Sequence, residues 1–171
     1  MLHIAGHTPE AGMPLAPDAD MVTIDREMLA DAWRQLNSGG ADIDLVAIGS
    51  PHLSLAELHL IGAAFDGRHR HADVKLILTI GRDVLDIARQ DGVAARLEAS
   101  GATLYSDLCW CSITRPLFPP ETKVLMTNSG KYAHYATGLS GCRVRLGGIT
   151  ACVEAAVSGI ANTALPRWLG H

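Results

Sequence analysis

Short apolar runs alternate with amphipathic stretches along the chain. Five runs have the length and the Val, Ile and Leu content of buried strands: 44–50 (DLVAIGS), 74–81 (VKLILTIG), 102–109 (ATLYSDLC), 123–129 (KVLMTNS) and 142–148 (CRVRLGG). Between most of them apolar residues recur every three or four positions, the period of a helix with one buried face. Residues 24–37 (IDREMLADAWRQLN) predict such a helix, stopped by Gly39–Gly40. Residues 54–65 predict a second, opening with Ser54 and Glu57 at the spacing of a capping box. Residues 81–100 predict a third, with Gly92 as its weak point. Residues 148–160 predict a fourth, with Ile149, Cys152, Val153, Ala156, Val157 and Ile160 on one face. Strands alternating with helices predict an α/β fold, an open and mostly parallel sheet with helices on both faces. The pattern fills 1–171 as one domain, without repeat or linker. A polar, Pro-rich stretch at 8–20 reads as a lead-in from something upstream.

Composition narrows this only slightly. The 171 residues are 48% hydrophobic and 19% charged, which suits a globular chain with a real core. A net charge of −4 gives no bulk attraction to nucleic acid or to an anionic membrane. The local basic run GRHRH (67–71) falls between a helix and a strand and reads as a solvated loop. No apolar run approaches the roughly 20 residues needed to span a bilayer, and the Pro-broken N-terminal stretch lacks a signal-peptide core. Four cysteines without a secretory signal read as free or metal-binding thiols in a reducing, cytoplasmic setting.

Ligands of open α/β sheets bind beyond the carboxyl ends of the strands, and three such segments carry reactive side chains. TNSGKYAHYATG (127–138) holds Asn128, Ser129, Lys131, His134 and two of the three tyrosines. With Ser129 as a helix cap, free backbone N–H groups and Lys131 would form an anion site, and Lys131, His134 and Tyr135 would share a face. The same stretch also reads as a capped surface helix. GSPHLS (49–54) places Ser50 and His52 at a strand-to-helix turn, where either could touch a ligand or carry a proton. SDLCWCS (106–112) puts Cys109 and Cys111 on one side of an extended segment, yet a lone C-x-C is weak and free cysteines are common in cores. Cys152 stands about one turn into a helix, a place that suits a metal ligand or a buried structural thiol equally. The nucleophile elbow, the P-loop and the dinucleotide fingerprint are all missing.

GHTPEA, GSPHLSLAEL, DLCWCS, TNSGKYAHYATGL and GGITACVEAAVSG resemble, in this order, blocks of aconitase X, a hydro-lyase branch of the aconitase superfamily. The resemblance runs from about His3 to Gly159 and implies an aconitase-like α/β/α domain that dehydrates a small hydroxy acid. It implies an iron centre, commonly an iron–sulfur cluster, acting as Lewis acid on the departing hydroxyl. Cys109 and Cys152 match ligand positions, whereas Cys111 and Cys142 do not. Asn128, Ser129 and Lys131, with His134 beside them, resemble substrate-binding residues, so the polar stretch would be a floor for an anionic substrate. Ser50 stands where relatives resembling phosphomevalonate dehydratase tend to carry a cysteine ligand. That resembles the cis-3-hydroxy-L-proline dehydratases, which form Δ1-pyrroline-2-carboxylate, and it leaves one thiolate fewer for the centre. Ser50, His52 and His134 are all candidates for the base. The resemblance covers only the C-terminal portion of a large catalytic part. The missing upstream part and a swivelling domain are therefore expected partners, with exposed apolar surface and self-association in their absence. The alternatives are a phosphomevalonate dehydratase-like member, a non-catalytic carboxylate-binding module and a remnant without ligand.

Overall fold

The computed structural model describes residues 2–113 and 115–170. In chain order the elements are α1 (Arg26–Gln35), β1 (Leu45–Leu53), α2 (Leu55–Phe65), β2 (Lys75–Ile80), α3 (Arg82–Gln90), α4 (Val93–Ala99), β3 (Ala102–Ser106), β4 (Val124–Thr127), α5 (Gly130–Ser140), β5 (Arg143–Leu146) and α6 (Ile149–Ser158). The five strands form one sheet in the order β3-β2-β1-β4-β5, and every neighbouring pair is parallel. The α/β architecture predicted from the sequence is the one observed.

Alternation along the strands divides the core in two. Val46, Ile48, Leu76, Leu78, Val124 and Met126 face a large cluster that includes Leu58, Ile61, Leu85, Leu97 and Val153 from α2, α3, α4 and α6. Leu45, Ala47, Ile77, Leu125 and Val144 face a smaller cluster built from Tyr132, Ala133 and Ala136 of α5 together with Trp110, Phe118 and Cys142. Successive residues of a strand point to opposite faces, so both layers are needed to keep these runs dry.

Local chemistry sets the boundaries. Ser54 and Glu57 close the predicted capping box at the start of α2. The single helix predicted over 81–100 is two helices, because Gly92 adopts a left-handed φ of 85° and Asp91 accepts the Val93 N–H. The strand predicted over 102–109 stops at Ser106. Asp107 takes a left-handed φ of 57°, and its carboxylate receives the backbone and side-chain N–H groups of Arg82. In the basic run, Arg68 is bonded to Glu154, and Arg70 donates to the carbonyls of Gly101, His71, Ala72 and Val74. These two arginines are held by the fold instead of being free in a solvated loop.

Two features lie at the margins. Arg145, on β5, is 6% exposed and donates to the carbonyls of Asn37, Gly39 and Asn162, tying the end of α1 and the C-terminal segment to the edge of the sheet. Residues 2–25 have one short 3-10 turn, Pro9–Gly12, and leave Leu2, Met13, Leu15, Met21, Val22 and Ile24 exposed. No helix among the described residues is long and apolar enough to cross a membrane.

The sequence predicts a turn after position 50, but β1 continues to Leu53 through an irregularity. Ile48 pairs with Leu78 and Leu53 with Ile80, so residues 49–52 of β1 stand against Thr79 alone. Gly49 has φ 117°, its carbonyl accepts the Thr79 hydroxyl at 2.7 Å, and a Cβ there would collide with the carbonyl and hydroxyl oxygens of Thr79. We expect Gly49→Ala to cost about 1–3 kcal/mol in chemical denaturation. Gly138→Ala, in the open interior of α5, should instead stabilise by about 0.5–1 kcal/mol. Equal effects of the two substitutions would show that the bulge is not constrained in this way.

Candidate active site

The sheet order reverses at β1, whose neighbours in the sheet are β2 on one side and β4 on the other. Crevices form at such switch points, because the segments leaving adjacent strands diverge. A cavity of about 200 Å³ lies here, lined by the β1 bulge (Gly49, Ser50, Pro51, His52), by Cys109 and Trp110 after β3, and by Lys131 at the start of α5. A larger cavity of about 440 Å³ lies between α1 and the C-terminal segment, lined by Arg26, Glu27, Ala30, Arg34, Leu165, Leu169 and Gly170. The smaller cavity is the one that combines a thiol, an imidazole, a hydroxyl and an ammonium.

Each wall is fixed by a nameable interaction. Trp110 is 2% exposed, donates its ring N–H to the Ile48 carbonyl at 3.2 Å, and packs on Tyr132 with ring centroids 5.3 Å apart. It anchors the segment after β3 over the sheet and so carries Cys109 to the cavity. His52 donates from Nε2 to the Leu108 carbonyl at 2.9 Å. A carbonyl can only accept, so the neutral ring carries its proton on Nε2 and leaves Nδ1 as its basic nitrogen. The Ser50 hydroxyl makes no hydrogen bond among the described residues, although Ser50 is buried.

Ser129 caps α5 as predicted, its Oγ accepting the Tyr132 N–H at 3.1 Å. That commits the hydroxyl to the backbone and places Lys131 in the first helical turn, where the helix dipole opposes a cation and favours an anion beside it. Asn128 precedes the cap, and its buried Oδ1 has no partner. His134 is exposed, with its ring 4.9 Å from that of Tyr135 and edge-on to it. Of the substrate-binding residues predicted in this stretch, Lys131 reaches the cavity lining; Asn128 and Ser129, just before α5, and His134, on it, do not line the cavity.

The cysteines separate sharply. Cys109 is exposed and lines the cavity. Cys111 is half-buried, and its thiol is pushed up by burial and by neighbouring Cys109, against an opposing pull from Lys131. Cys152 is fully buried in the larger core, its pKa pushed up to about 12 by that burial, with its Sγ 3.7 Å from the Gly147 carbonyl. Among the described residues, no three His, Cys, Asp or Glu side chains converge as a metal site. The thiols present therefore fit part of a metal centre, through Cys109, and not a complete one. Sequence reasoning missed Gly49 and Trp110 as an anchor. The glycine before Ser-Pro-His and the tryptophan between two cysteines were the available signals.

Comparison with known proteins gives a consistent picture. Residues 43–158 match the family model described as the aconitase X third domain. The chain is 46% identical to a cis-3-hydroxy-L-proline dehydratase of Pseudomonas aeruginosa, over 100% of this chain and 30% of that protein. It is 36% identical to one of Hypocrea jecorina, over 99% of this chain and again 30% of the relative. A phosphomevalonate dehydratase large subunit of Methanothermobacter thermautotrophicus is 31% identical over 82% of this chain and 35% of its own. The crystal structure of the holo form of Thermococcus kodakaraensis aconitase X superposes with a TM-score of 0.73 at 25% identity, covering 88% of this chain and 38% of that one. The chain thus spans about 30% of the length of these two curated cis-3-hydroxy-L-proline dehydratases.

Two measurements check this site. Alkylation by iodoacetamide near neutral pH should label Cys109 first and spare Cys142 and Cys152 until the chain is unfolded, because only thiolates within reach of the reagent react; early labelling of Cys152 would show that its core is open. Hydrogen bonds hold three carboxylates below the ordinary range: Arg82 to Asp107, the Val93 N–H and then His59 to Asp91, and Arg68 to Glu154. A depressed carboxylate adds stability above its unfolded pKa of about 4 and loses it as pH falls through the folded value. Thermal stability should therefore fall below about pH 4, and Asp107→Asn should reduce that dependence; an unchanged acid limb would remove Asp107 from the account.

Proposed function

We propose, from the premise that this chain belongs to the aconitase X family, that it is the third-domain part of a hydro-lyase acting on a small hydroxy acid. The substrate we infer is cis-3-hydroxy-L-proline. A base removes the proton from Cα, the hydroxyl leaves C3, and the resulting enamine tautomerises to Δ1-pyrroline-2-carboxylate with loss of one water. The observation that supports this most is the meeting of Ser50, His52, Cys109 and Lys131 at one cavity, although they lie on three separate segments of the chain.

Each of these residues has a role its chemistry permits. The Lys131 ammonium and the free N–H groups opening α5 receive the substrate carboxylate. His52 holds the proton-accepting nitrogen, Nδ1, because Leu108 occupies the other. Ser50 offers a free hydroxyl to the same space and is the second candidate for the base. Cys109 is the residue of this chain that would hold iron; bound iron supplies Lewis acidity toward the leaving hydroxyl. Cys152 would join it only if the start of α6 moved. The remaining ligands and walls come from the rest of the longer protein, including a swivelling domain.

The ligand chemistry favours an imino acid over a phosphorylated one. Lys131 is the one cation lining the cavity among the described residues, enough for a single carboxylate. The 46% identity to a cis-3-hydroxy-L-proline dehydratase, against 31% to a phosphomevalonate dehydratase large subunit, supports the same choice.

The test is anaerobic dehydration of cis-3-hydroxy-L-proline with iron supplied, following the cyclic imine. The chain alone should give no turnover. Mixed with the complementary part of the Pseudomonas aeruginosa relative, it should turn over, and Lys131→Ala should lower kcat/KM by about 100-fold or more, the loss of a charged anchor of about 2–3 kcal/mol. Turnover by the chain alone would refute its incompleteness. A folded, assembled mixture that stays inactive would refute the dehydratase reading.

A further inference from the structure

We propose that the open edge of β3 docks a second copy of this chain, the two β3 strands pairing antiparallel across a two-fold axis and joining two sheets into one. The inference rests on the main-chain bonding of the sheet and is independent of the hydro-lyase reading.

The two edges of the sheet differ. At β5, Arg143 and Gly147 donate their N–H groups to the carbonyls of Lys123 and Thr127, on the β4 side. Alternate residues of a strand bond to opposite sides, so Val144 and Leu146 face outward. Both are engaged: the Val144 carbonyl accepts the Gly39 N–H at 2.9 Å, and the Leu146 N–H donates to Asn37 Oδ1 at 2.9 Å. The segment after α1 thus closes that edge. At β3, the Asp107 N–H donates to the Ile80 carbonyl of β2 at 2.9 Å. By the same alternation Thr103 and Tyr105 bond toward β2, and Ala102, Leu104 and Ser106 face away from it. Among the described residues, nothing bonds to the outward N–H and carbonyl groups of these three. From Ala102 to Ser106 there is also no proline, charged side chain or bulge, the usual devices that keep an edge strand from pairing.

The strand itself points to its occupant. Turned antiparallel about Leu104, it complements its own copy. Leu104 exchanges two main-chain bonds with Leu104 of the other chain, and Ser106 of each chain meets Ala102 of the other. Thr103 stands opposite Tyr105, a β-branched and aromatic pair, and Leu104 meets Leu104 on the face of the larger core cluster. No like charges oppose one another. Thr103 is exposed, and Leu104 and Tyr105 are half-buried, so pairing removes further apolar surface from water. One patch meeting itself is what a two-fold interface requires. Because β5 is closed by its own chain, no open edge remains for a third copy, and association stops at two.

The test is sedimentation equilibrium of the 171-residue chain, with hydrogen exchange at residues 102–106 followed by mass spectrometry. We expect a monomer–dimer equilibrium, with exchange at 102–106 slowing as protein concentration rises. Thr103→Lys brings two ammonium groups near the axis, and Ser106→Pro removes an outward N–H; both positions are exposed. Each should weaken dimerisation about tenfold or more, with far-UV circular dichroism unchanged. Thr137→Lys, exposed on α5, adds the same charge and should dimerise as the parent does. The proposal is overturned if the parent stays monomeric at its highest soluble concentration, or if it associates without slowing exchange at 102–106. Dimerisation of both β3 variants as tight as the parent's would overturn it too, as would protection of 102–106 that requires the complementary part of the longer protein instead of a second copy. No step uses substrate or iron, so its failure and that of the dehydratase assay are distinguishable.

Discussion

The β1 bulge is the constraint on which the rest of the site depends. In a regular parallel ladder, Ser50 and His52 would continue the row of Val46 and Ile48 and point into the larger apolar layer, where neither an unpaired hydroxyl nor an imidazole is tolerated. Setting four residues against Thr79 lifts them out of the ladder and onto the carboxyl edge of the sheet. The manoeuvre requires backbone contact between the two strands at Gly49, whose missing Cβ makes room for the Thr79 oxygens and whose carbonyl takes the Thr79 hydroxyl. Leu53 then returns to the ladder opposite Ile80, and Ser54 starts α2. The reactive groups are thus pinned at both ends by apolar residues that cannot move without opening the core.

The other two walls are held by equally economical means. Asp107 turns the chain sharply after β3 and is clamped to the start of α3 by Arg82; a few residues later Trp110 anchors it to β1. Ser129 caps α5 and leaves the first free N–H groups and Lys131 at the mouth of the cavity. The remaining cations are largely committed elsewhere: Arg70 and Arg145 to backbone carbonyls, and Arg68 and Arg82 to carboxylates. Lys131 therefore dominates the local field by being left over, and an anion entering the cavity meets one positive charge.

The same structure explains why a site so built needs more protein. The cavity is small, its thiols make up part of a ligand set, and the N-terminal residues 2–25 carry exposed Leu, Met, Val and Ile side chains with little to cover them. The matched family model is a third domain, and the curated relatives are about three times as long as this chain. A domain that supplies one face of a shared site would have these properties.

The sequence by itself determined the elements. Period-two and period-3.6 patterns encode which residues must be buried, and burial dominates the free energy, so the five strands, the capping box at Ser54 and the Ser129 cap were legible without coordinates. Local chemistry also marked Gly92 as a weak point, though the pattern alone did not show that the helix would divide there. What only the tertiary structure decided was adjacency. The continuation of β1 past Ser50, the turn at Asp107 that ended the strand predicted through Cys109, and the meeting of Cys109, His52 and Lys131 all depend on contacts between segments far apart in the chain. The cysteines show the difference most plainly. Spacing favoured a core role for Cys109 and Cys111 and left Cys152 ambiguous, whereas packing buried Cys152 in the larger core, set Cys111 against the smaller one and left Cys109 exposed at the cavity, because side-chain burial is fixed by what lies across the sheet and not by position along the chain.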